Sequence, residues 1–453
     1  MIVMKFGGTS VGTAKRMEGL AERVRERLPR QPVVVVSALS GITDRLIRGA
    51  RLAEAQDGAW ETVIREIQER HHAVIGELFP AGPVADRLRG QVALILSELR
   101  TFYAGVHSLA ELTPRTLDAI SGMGERLSFE IAAATMADRG LPAQAVDART
   151  VLVTDETFGR AAPLMEETQA RCEASLRPLL GRGVVPVLGG FIASTRKGVS
   201  TTLGRGGSDW SASILGAALS AQAIEIWTDV DGMMTVDPRV VPAARVLSEV
   251  SFTEAAELAY FGAKVLHPAT IKPAVEKGIP VLVLNSLNPS APGTRITGDA
   301  EGTAGEARAI AFKKGISVVH ISQPRMLMAY GFVARVFEAF DRHRTAVDLI
   351  ATSEVSISLT VDDAARLPAV QAELATLGEV KVLQEMAIVS VVGRGFIRRP
   401  GLAARIFQAL RQVNVVMISF GASDVNLSFV VAEAEAEKAV RLLHREFFEE
   451  GPP

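Results

Sequence analysis

Near the start of the chain stand a lysine, two adjacent glycines and two hydroxyl residues, Lys5-Phe6-Gly7-Gly8-Thr9-Ser10. The apolar run before them, Ile2–Phe6, reads as a buried strand, so the group sits at a strand's carboxyl end. A cation beside glycines, whose backbone N–H groups can approach an anion closely, is the chemistry of a phosphate seat. Three more loops share this character. Ser37-Ala38-Leu39-Ser40-Gly41-Ile42-Thr43 follows a second strand and Gly189-Gly190 a third. "TTLGRGGSD", Thr201 to Asp209, leads into a helix expected over Trp210–Leu219. Taken singly, each loop reads first as a plain turn. Four of them, with Lys5 and Arg205 among them, point to a phosphate-handling cleft at the carboxyl ends of parallel strands.

Other chemistries are excluded by what is missing. No GxxxxGK[ST] loop occurs. The GxG triplets at Gly122–Gly124, Gly204–Gly206 and Gly393–Gly395 meet Leu127, Asp209 and Arg398 where a dinucleotide fingerprint needs glycine. The adjacent His71 and His72 cannot share a helix face, and neither HExxH nor GxSxG is present. One cysteine, Cys172, allows no internal disulfide and no Cys-rich zinc site; it reads as a small apolar filler on a helix.

The elements that must position these loops follow from periodicity. Ile2–Phe6, Val33–Ser37, Val184–Leu188, Ala223–Thr228 and Pro280–Leu284 are Val/Ile-rich runs without polar alternation, as in strands covered on both faces. Helical patterns separate them at Ala14–Leu28, Trp60–Leu78 and Leu164–Leu180. This is an α/β domain with a mainly parallel sheet. A stretch dense in Pro, Gly and Thr, Asn288 to Gly305, reads as a domain boundary. The length of 453 residues fits two or three domains. A net charge of −2 gives no reason to expect nucleic acid or a membrane surface as partner. The start of the chain carries no secretory signal pattern and no apolar run approaches a membrane span, so a cytoplasmic protein is expected.

Beyond the boundary the chain repeats itself. "GFVARVFEAFDRHRTAVDLIATSEVSISLTV" from Gly331 aligns without a gap on "GLAARIFQALRQVNVVMISFGASDVNLSFVV" from Gly401. Each copy reads as glycine, amphipathic helix, strand, tight turn and alternating strand. Two copies are too few for a solenoid, so a pair of small α+β modules is expected.

"KFGGTSV", "SGMGERLS", "TTLGRGGSD", "TDVDGMMTVDPR" and "YFGAKVLHPAT" resemble the signature segments of the aspartate kinases, in the amino-acid kinase superfamily, and come in that family's order. The repeated part resembles the family's paired ACT regulatory domains. The resemblance implies an amino-acid-kinase-type, mainly parallel sheet sandwiched by helices over 1–295. Two ACT-like modules would follow over 309–385 and 386–453. It implies Mg²⁺- and ATP-dependent phosphorylation of the L-aspartate β-carboxylate, the first step toward lysine, threonine and methionine. Other amino-acid kinases, of the glutamate 5-kinase or acetylglutamate kinase type, and a non-catalytic amino-acid sensor are the alternatives.

Site roles are carried over on the same terms. Lys5 would contact the transferring phosphoryl group, with Gly7 and Gly8 as backbone donors and Asp209 organising the lysine and the metal-bound phosphates. As bare sequence, Lys5 is also a strand-end lysine and Asp209 a helix first-turn acid. Arg205 would take the substrate α-carboxylate and Glu125 its ammonium group, although Glu125 also reads as a first-turn acid. Ser37 and Thr43, otherwise helix caps, would bond the substrate near its side-chain carboxylate. Thr228, Asp229, Met234, Arg239, Lys264 and Val265 fall on the nucleotide side. Met234 stands where the family commonly has tyrosine, and a thioether cannot donate a hydrogen bond. No dedicated metal cage is legible, as is usual for Mg²⁺.

In the regulatory part the resemblance implies an amino-acid effector, lysine or threonine, and a homodimer or larger homo-oligomer. The effector segment would comprise Gly331, Phe332, Val333, Val347, Asp348, Thr352, Ser353 and Glu354. It most resembles the lysine-sensitive type, but Ala329 and Ala346 stand where that type often has serines.

Overall fold

The computed structural model describes residues 1–261, 268–298, 306–323 and 330–449. It divides into two compact units. The first takes Met1–Met233, Ser248–Phe252 and the described residues of 268–298; the second takes Met234–Leu247, residues 253–261 and the described residues from 306 onward.

The first unit is built on eight strands: β1 (Ile2–Phe6), β2 (Pro32–Val36), β3 (Ala143–Val146), β5 (Val185–Gly189), β8 (Ile224–Thr228), β9 (Glu249–Ser251), β10 (Val281–Asn285) and β11 (Thr294–Thr297). Their order is β3-β5-β2-β1-β8-β10-β11-β9, all neighbours parallel except β10 with β11. A small sheet of β4 (Val153–Thr154), β6 (Ile192–Thr195) and β7 (Ser200–Thr202) adjoins it in sequence. Period two divides β1 between two faces. Ile2, Met4 and Phe6 enter a core with Met17, Leu20 and Val24 of the helix Ala14–Arg27 and Ile131 of the helix Met123–Asp138. Lys5 points to the opposite face, where the first turn of the helix Gly207–Ala218 carries Asp209.

The five expected strands form, each shifted by one residue at most, and the expected helix Trp60–Leu78 forms over that span. The expected single helix Leu164–Leu180 is two, Met165–Ser175 and Arg177–Gly181, because Pro178 opens a new helix near its start. The stretch read as a boundary, 288–305, holds the change from the first unit to the second, and its residues Thr294–Thr297 form β11, which pairs antiparallel with β10 in the main sheet.

The second unit holds one six-stranded antiparallel sheet. Its strands are β12 (Ala307–Ser322), β13 (Ile350–Thr352), β14 (Ser356–Val361), β15 (Glu379–Gly393), β16 (Met417–Phe420) and β17 (Asn426–Ala432), in the order β13-β14-β12-β15-β17-β16. The two long strands serve both halves. Residues 317–322 of β12 pair with β14 on one side and with 379–383 of β15 on the other. Residues 307–313 of β12 pair with the rest of β15, which carries β17. The helices Phe332–Arg342 and Leu367–Leu374 cover the first half, and Leu402–Ala409 and Glu433–His444 the second. The repeat is visible in detail. Gly331 and Gly401 are both left-handed residues preceding a helix, at φ 76° and 82°. It also reaches further back than the sequence alignment: His320 bonds Ser358 at 3.0 Å, and the residues 70 further on, Ser390 and Ser428, bond at 2.9 Å.

Candidate active site and effector segment

In the first unit the chain runs from β1 to β2 on one side and later enters β8 on the other. A crevice opens at the carboxyl ends of strands where the order switches in this way. Lys5 lies one residue from the end of β1. Its ammonium group is 2.6 Å from Asp209 Oδ1, with both side chains nearly buried. That oxygen has no other partner, so the ion pair alone satisfies it. The lysine folds back over Gly7, where a Cβ would sit 3.4 Å from Nζ. The Gly7 N–H, expected to face a phosphate, donates instead to the Trp227 carbonyl at 3.2 Å and so ties β1 to β8. Gly8 opens the one-turn helix Gly8–Val11, whose first N–H groups have no acceptor inside the helix. A Cβ on Gly8 would lie 2.9 Å from the Ala38 carbonyl, so the loops after β1 and β2 meet here only because glycine has none.

The loop after β2 is fixed from three sides. Ser37 N–H donates to the Phe6 carbonyl, its hydroxyl donates to Ser208 at 2.9 Å, and its carbonyl accepts from Ser128. Ser208 directly precedes Asp209 and packs on Gly190, where a Cβ would be 2.7 Å from that of Ser208. Glu125 reaches the same loop. One of its oxygens accepts from Ala38 N–H at 3.1 Å, and the other, Oε2, has no hydrogen-bond partner. Glu125 is 3 % exposed, and burial pushes its carboxyl up to about 8 against hydrogen bonds that pull it down. Such an unpaired buried oxygen is costly unless a donor or a cation meets it. Thr43 lies in the first turn of the helix Ile42–Glu54, and Arg205 is exposed.

Asp118 was not singled out by sequence reasoning. It is 2 % exposed on the helix Pro114–Ser121 and accepts three hydrogen bonds: from Gly159 N–H at 2.9 Å, Thr202 N–H at 3.0 Å and the Thr202 hydroxyl at 2.6 Å. It thereby fixes the start of the loop that carries Arg205. The available signal was an acid inside the apolar face of Leu117 and Ile120, where a carboxylate needs donors.

At the end of β8, the Thr228 hydroxyl donates to Asp229 at 3.3 Å and the Thr228 carbonyl accepts from Ser286, which also bonds Ser10. Asp231, also unforeseen, takes Asn285 and Asn288 at 2.7 and 3.1 Å and shapes the same loop. Met234 and Arg239 belong to the second unit. There Arg239 is held in a fork by Asp237, two residues back. Lys264 and Val265 lie outside the described residues.

Within the second unit, Asp348 is the polar centre of the proposed effector segment. Its side chain is 1 % exposed, Oδ1 accepts from the Tyr260 hydroxyl, and Oδ2 has no hydrogen bond, with Lys313 Nζ 4.0 Å away. Burial raises its carboxyl above the ordinary range. Ser353 is spent on its own turn, accepting from the N–H groups of Val355 and Ser356. Phe332 packs into the core while Val333, Thr352 and Glu354 are exposed, and Val347 packs at the core's edge. Gly331 caps the helix N-terminus.

Among the described residues no group of three or more His, Cys, Asp or Glu could hold a metal ion, and no helix is long and apolar enough to cross a membrane. Cys172 is buried, and burial pushes its thiol up to about 12, as for an inert core residue.

Residues 1–285 match the amino acid kinase family, and residues 319–372 and 389–447 match the ACT domain. The chain therefore belongs to the amino acid kinase family and carries ACT domains. Within that family it belongs with the aspartokinases. It is 39% identical to aspartokinase 1, chloroplastic, of Arabidopsis thaliana, over 99% of this chain and 80% of that protein. It is 38% identical to lysine-sensitive aspartokinase 3 of Escherichia coli, over 99% of both. The crystal structure of E. coli aspartokinase III with aspartate and ADP superimposes with a TM-score of 0.85 at 36% identity, covering 99% of this chain and 100% of that one. The same enzyme with lysine and aspartate gives 0.84, covering 99% of each chain.

Asp118→Asn replaces an acceptor of three bonds by a side chain with one acceptor and one donor group. It is expected to lower stability by about 1–3 kcal/mol and to speed tryptic cleavage after Arg205. Chemical denaturation and timed proteolysis with mapping of the cut check this. An unchanged cleavage rate would mean that Asp118 does not hold that loop.

Proposed function

We propose that this chain is an aspartate kinase, transferring the γ-phosphoryl group of ATP to the β-carboxylate of L-aspartate to give 4-phospho-L-aspartate and ADP. The observation that carries the reading is the buried Lys5–Asp209 pair at the end of β1, in one constellation with Gly8, Ser37 and the half-paired Glu125. The full-length likeness to an enzyme crystallised with aspartate and ADP supports the same substrates here.

The chemistry asks for positioning and charge compensation. An aspartate side chain has a pKa of about 4 and is already ionised at neutral pH, so no general base is needed. A carboxylate oxygen attacks the γ-phosphorus as its bond to the β–γ bridging oxygen breaks, and no proton moves. Lys5 follows the charge on the transferring group, and Asp209 fixes where that ammonium sits. Arg205, a planar fork, takes the α-carboxylate. Glu125 Oε2 takes the α-ammonium, and Ser37 and Thr43 orient the reacting carboxylate. Thr228 and Asp229, at the end of β8, meet the nucleoside. Mg²⁺ would be held mainly by the nucleotide's phosphates, as is usual for this ion, with Asp209 organising the metal-bound phosphates. The ion would neutralise charge on the β- and γ-oxygens.

Lysine is the effector we favour, from the likeness to a lysine-sensitive aspartokinase and to its lysine complex. Asp348 Oδ2 is the acceptor for its ammonium group. Pairing of ACT modules between two copies would make a homodimer or larger assembly. A cytoplasmic setting fits a single buried thiol, although some relatives are chloroplastic.

Two measurements test this reading. In a coupled assay, ATP turnover requires aspartate and is not supported by glutamate or acetylglutamate, and Lys5→Ala lowers it about 10²-fold or more. Turnover without aspartate, or an unchanged rate in the variant, refutes the assignment. The second concerns Glu125, whose ordinary value is 4.5 and which burial lifts to about 8. At pH 7 the free enzyme therefore holds a proton there, and a substrate ammonium beside Oε2 favours the charged form. Aspartate binding should then release about one proton near pH 7, read by calorimetry in buffers of different ionisation enthalpy. Glu125→Gln abolishes the release. In the free protein the same shift has a stability cost: the unfolded chain ionises this group near 4.5, so stability falls as pH rises from there through about 8.

A further inference from the structure

Between β1 and the helix Ala14–Arg27 the chain makes one short turn, Gly8–Val11, and distant residues hold both of its ends. Near its start the Gly7 N–H donates to the Trp227 carbonyl. The Ser10 hydroxyl lies 2.7 Å from that of Ser286, which is 2.9 Å from the Thr228 carbonyl. At its end the Gly12 carbonyl accepts from the Arg70 guanidinium at 2.6 Å, across 58 residues of chain. Between these ties the segment lies against the loop after β2. A Cβ on Gly8 would be 2.9 Å from the Ala38 carbonyl, and one on Gly12 would be 3.5 Å from the Ser40 Cβ.

Arg70 is placed by the helix Trp60–Leu78, whose Val63, Ile67 and Val74 are buried in the first unit's core. The neighbouring charges of that helix are used differently. Glu66 pairs with Arg48 at 2.6 Å and Arg45 at 3.5 Å, and all three side chains are exposed. Exposed pairs of this kind contribute little. Arg70 is half-buried and gives its guanidinium to the carbonyl of a buried glycine at the end of a helical turn. Such a carbonyl has no acceptor role left inside the turn, and a charged donor makes the stronger bond to it. Without Arg70 the Gly12 carbonyl loses that donor inside the protein, where an unmade bond is costly.

We infer that Arg70 is a positioning residue for phosphoryl transfer: through the Gly12 carbonyl it fixes the segment Gly8–Gly12, and with it the glycine loop beside Lys5. The inference rests on the proposed function, in which that loop faces the phosphates of ATP, and it adds what holds the loop in register. Asp209 fixes the lysine itself, and Ser286 ties the segment toward the end of β8. Arg70 supplies the tie on the opposite end, from the helical layer. A displacement of about 1 Å at such a site costs about 10²-fold in rate, so losing one of several ties costs less than that.

The test is steady-state kinetics of the full-length enzyme with aspartate and ATP. Arg70→Met keeps an unbranched, helix-favouring side chain without a donor. It lowers kcat about 10-fold and leaves the KM for aspartate within about 3-fold of wild type. Arg70→Lys, which keeps one charged donor, recovers kcat to within about 3-fold of wild type. Glu66→Ala cuts the ties of the same helix to Arg45 and Arg48 and keeps kcat within about 2-fold, so it reports what general loosening of that helix does. Hydrogen exchange adds a readout independent of turnover: the amides of residues 9–13 exchange at least about 10-fold faster in Arg70→Met, and no faster in Glu66→Ala. Should Arg70→Met fail to fold, Arg70→Gln, with a shorter and uncharged side chain, is held to the same outcomes. If the uncharged variant turns over like wild type, or falls no further than Glu66→Ala, the positioning role is wrong and the kinase assignment stands. An Arg70→Lys enzyme as slow as the uncharged variant also overturns it. If the wild-type enzyme shows no aspartate-dependent turnover, the proposed function fails and this inference with it.

Discussion

A lysine inside a buried central strand is the constraint around which the first unit is arranged. Lys5 is 9 % exposed in a strand whose other four residues are fully covered. A charge in that position must be paired at short range. Asp209 supplies the pairing, but only if the helix Gly207–Ala218 begins directly against the end of β1. That in turn needs Ser208 packed on Gly190 and Ser37 bonded to Ser208. The loops after β1, β2 and β5 are thus gathered around one ion pair, and a nucleotide's phosphates would meet a cation already held in place.

Glu125 shows the opposite strategy. Lys5 is paired within the protein, whereas Glu125 is buried with one oxygen unsatisfied and its charged form disfavoured. With a substrate ammonium beside Oε2, as proposed, that penalty would be removed, and part of the binding free energy would come from relieving it. Asp348 repeats the arrangement in the regulatory unit, again with one oxygen bonded and one open. Both carboxylates are buried with one oxygen hydrogen-bonded and the other without a hydrogen bond.

Much of this was legible in the sequence, for identifiable reasons. Buried parallel strands are continuous apolar runs, so β1, β2, β5, β8 and β10 stood out, and glycines at strand ends marked the crevice. The offset repeat gave both ACT modules because helix caps and strand alternation recur in register. Positions fixed by distant partners were not legible. Asp118 has meaning only through Gly159 and Thr202, and β11 hid in a Pro- and Gly-rich stretch because its pairing with β10 outweighs local propensity. That the Gly7 N–H would go to Trp227 could not be read either, since it depends on how β8 lies against β1. Nor does composition mark residues 234–247 as part of the regulatory unit; Val236 and Val241 join a core made by residues 310–443.

That last assignment bears on how the protein is made. Thr235 bonds to Ile310 and to His444, the latter 209 residues further along the chain, and Val240 accepts from Arg441. On a ribosome the segment at 234–247 emerges long before the helix Glu433–His444 that closes over it. β12 likewise waits for β15 before either half of its sheet is complete. The first unit has its strands in hand by residue 297, yet the segment spliced into its sequence lacks its partners His444 and Arg441 until the helix Glu433–His444 has been made. A chain cut short within the helix Glu433–His444 would therefore be incomplete well upstream of the cut, at Thr235 and Val240.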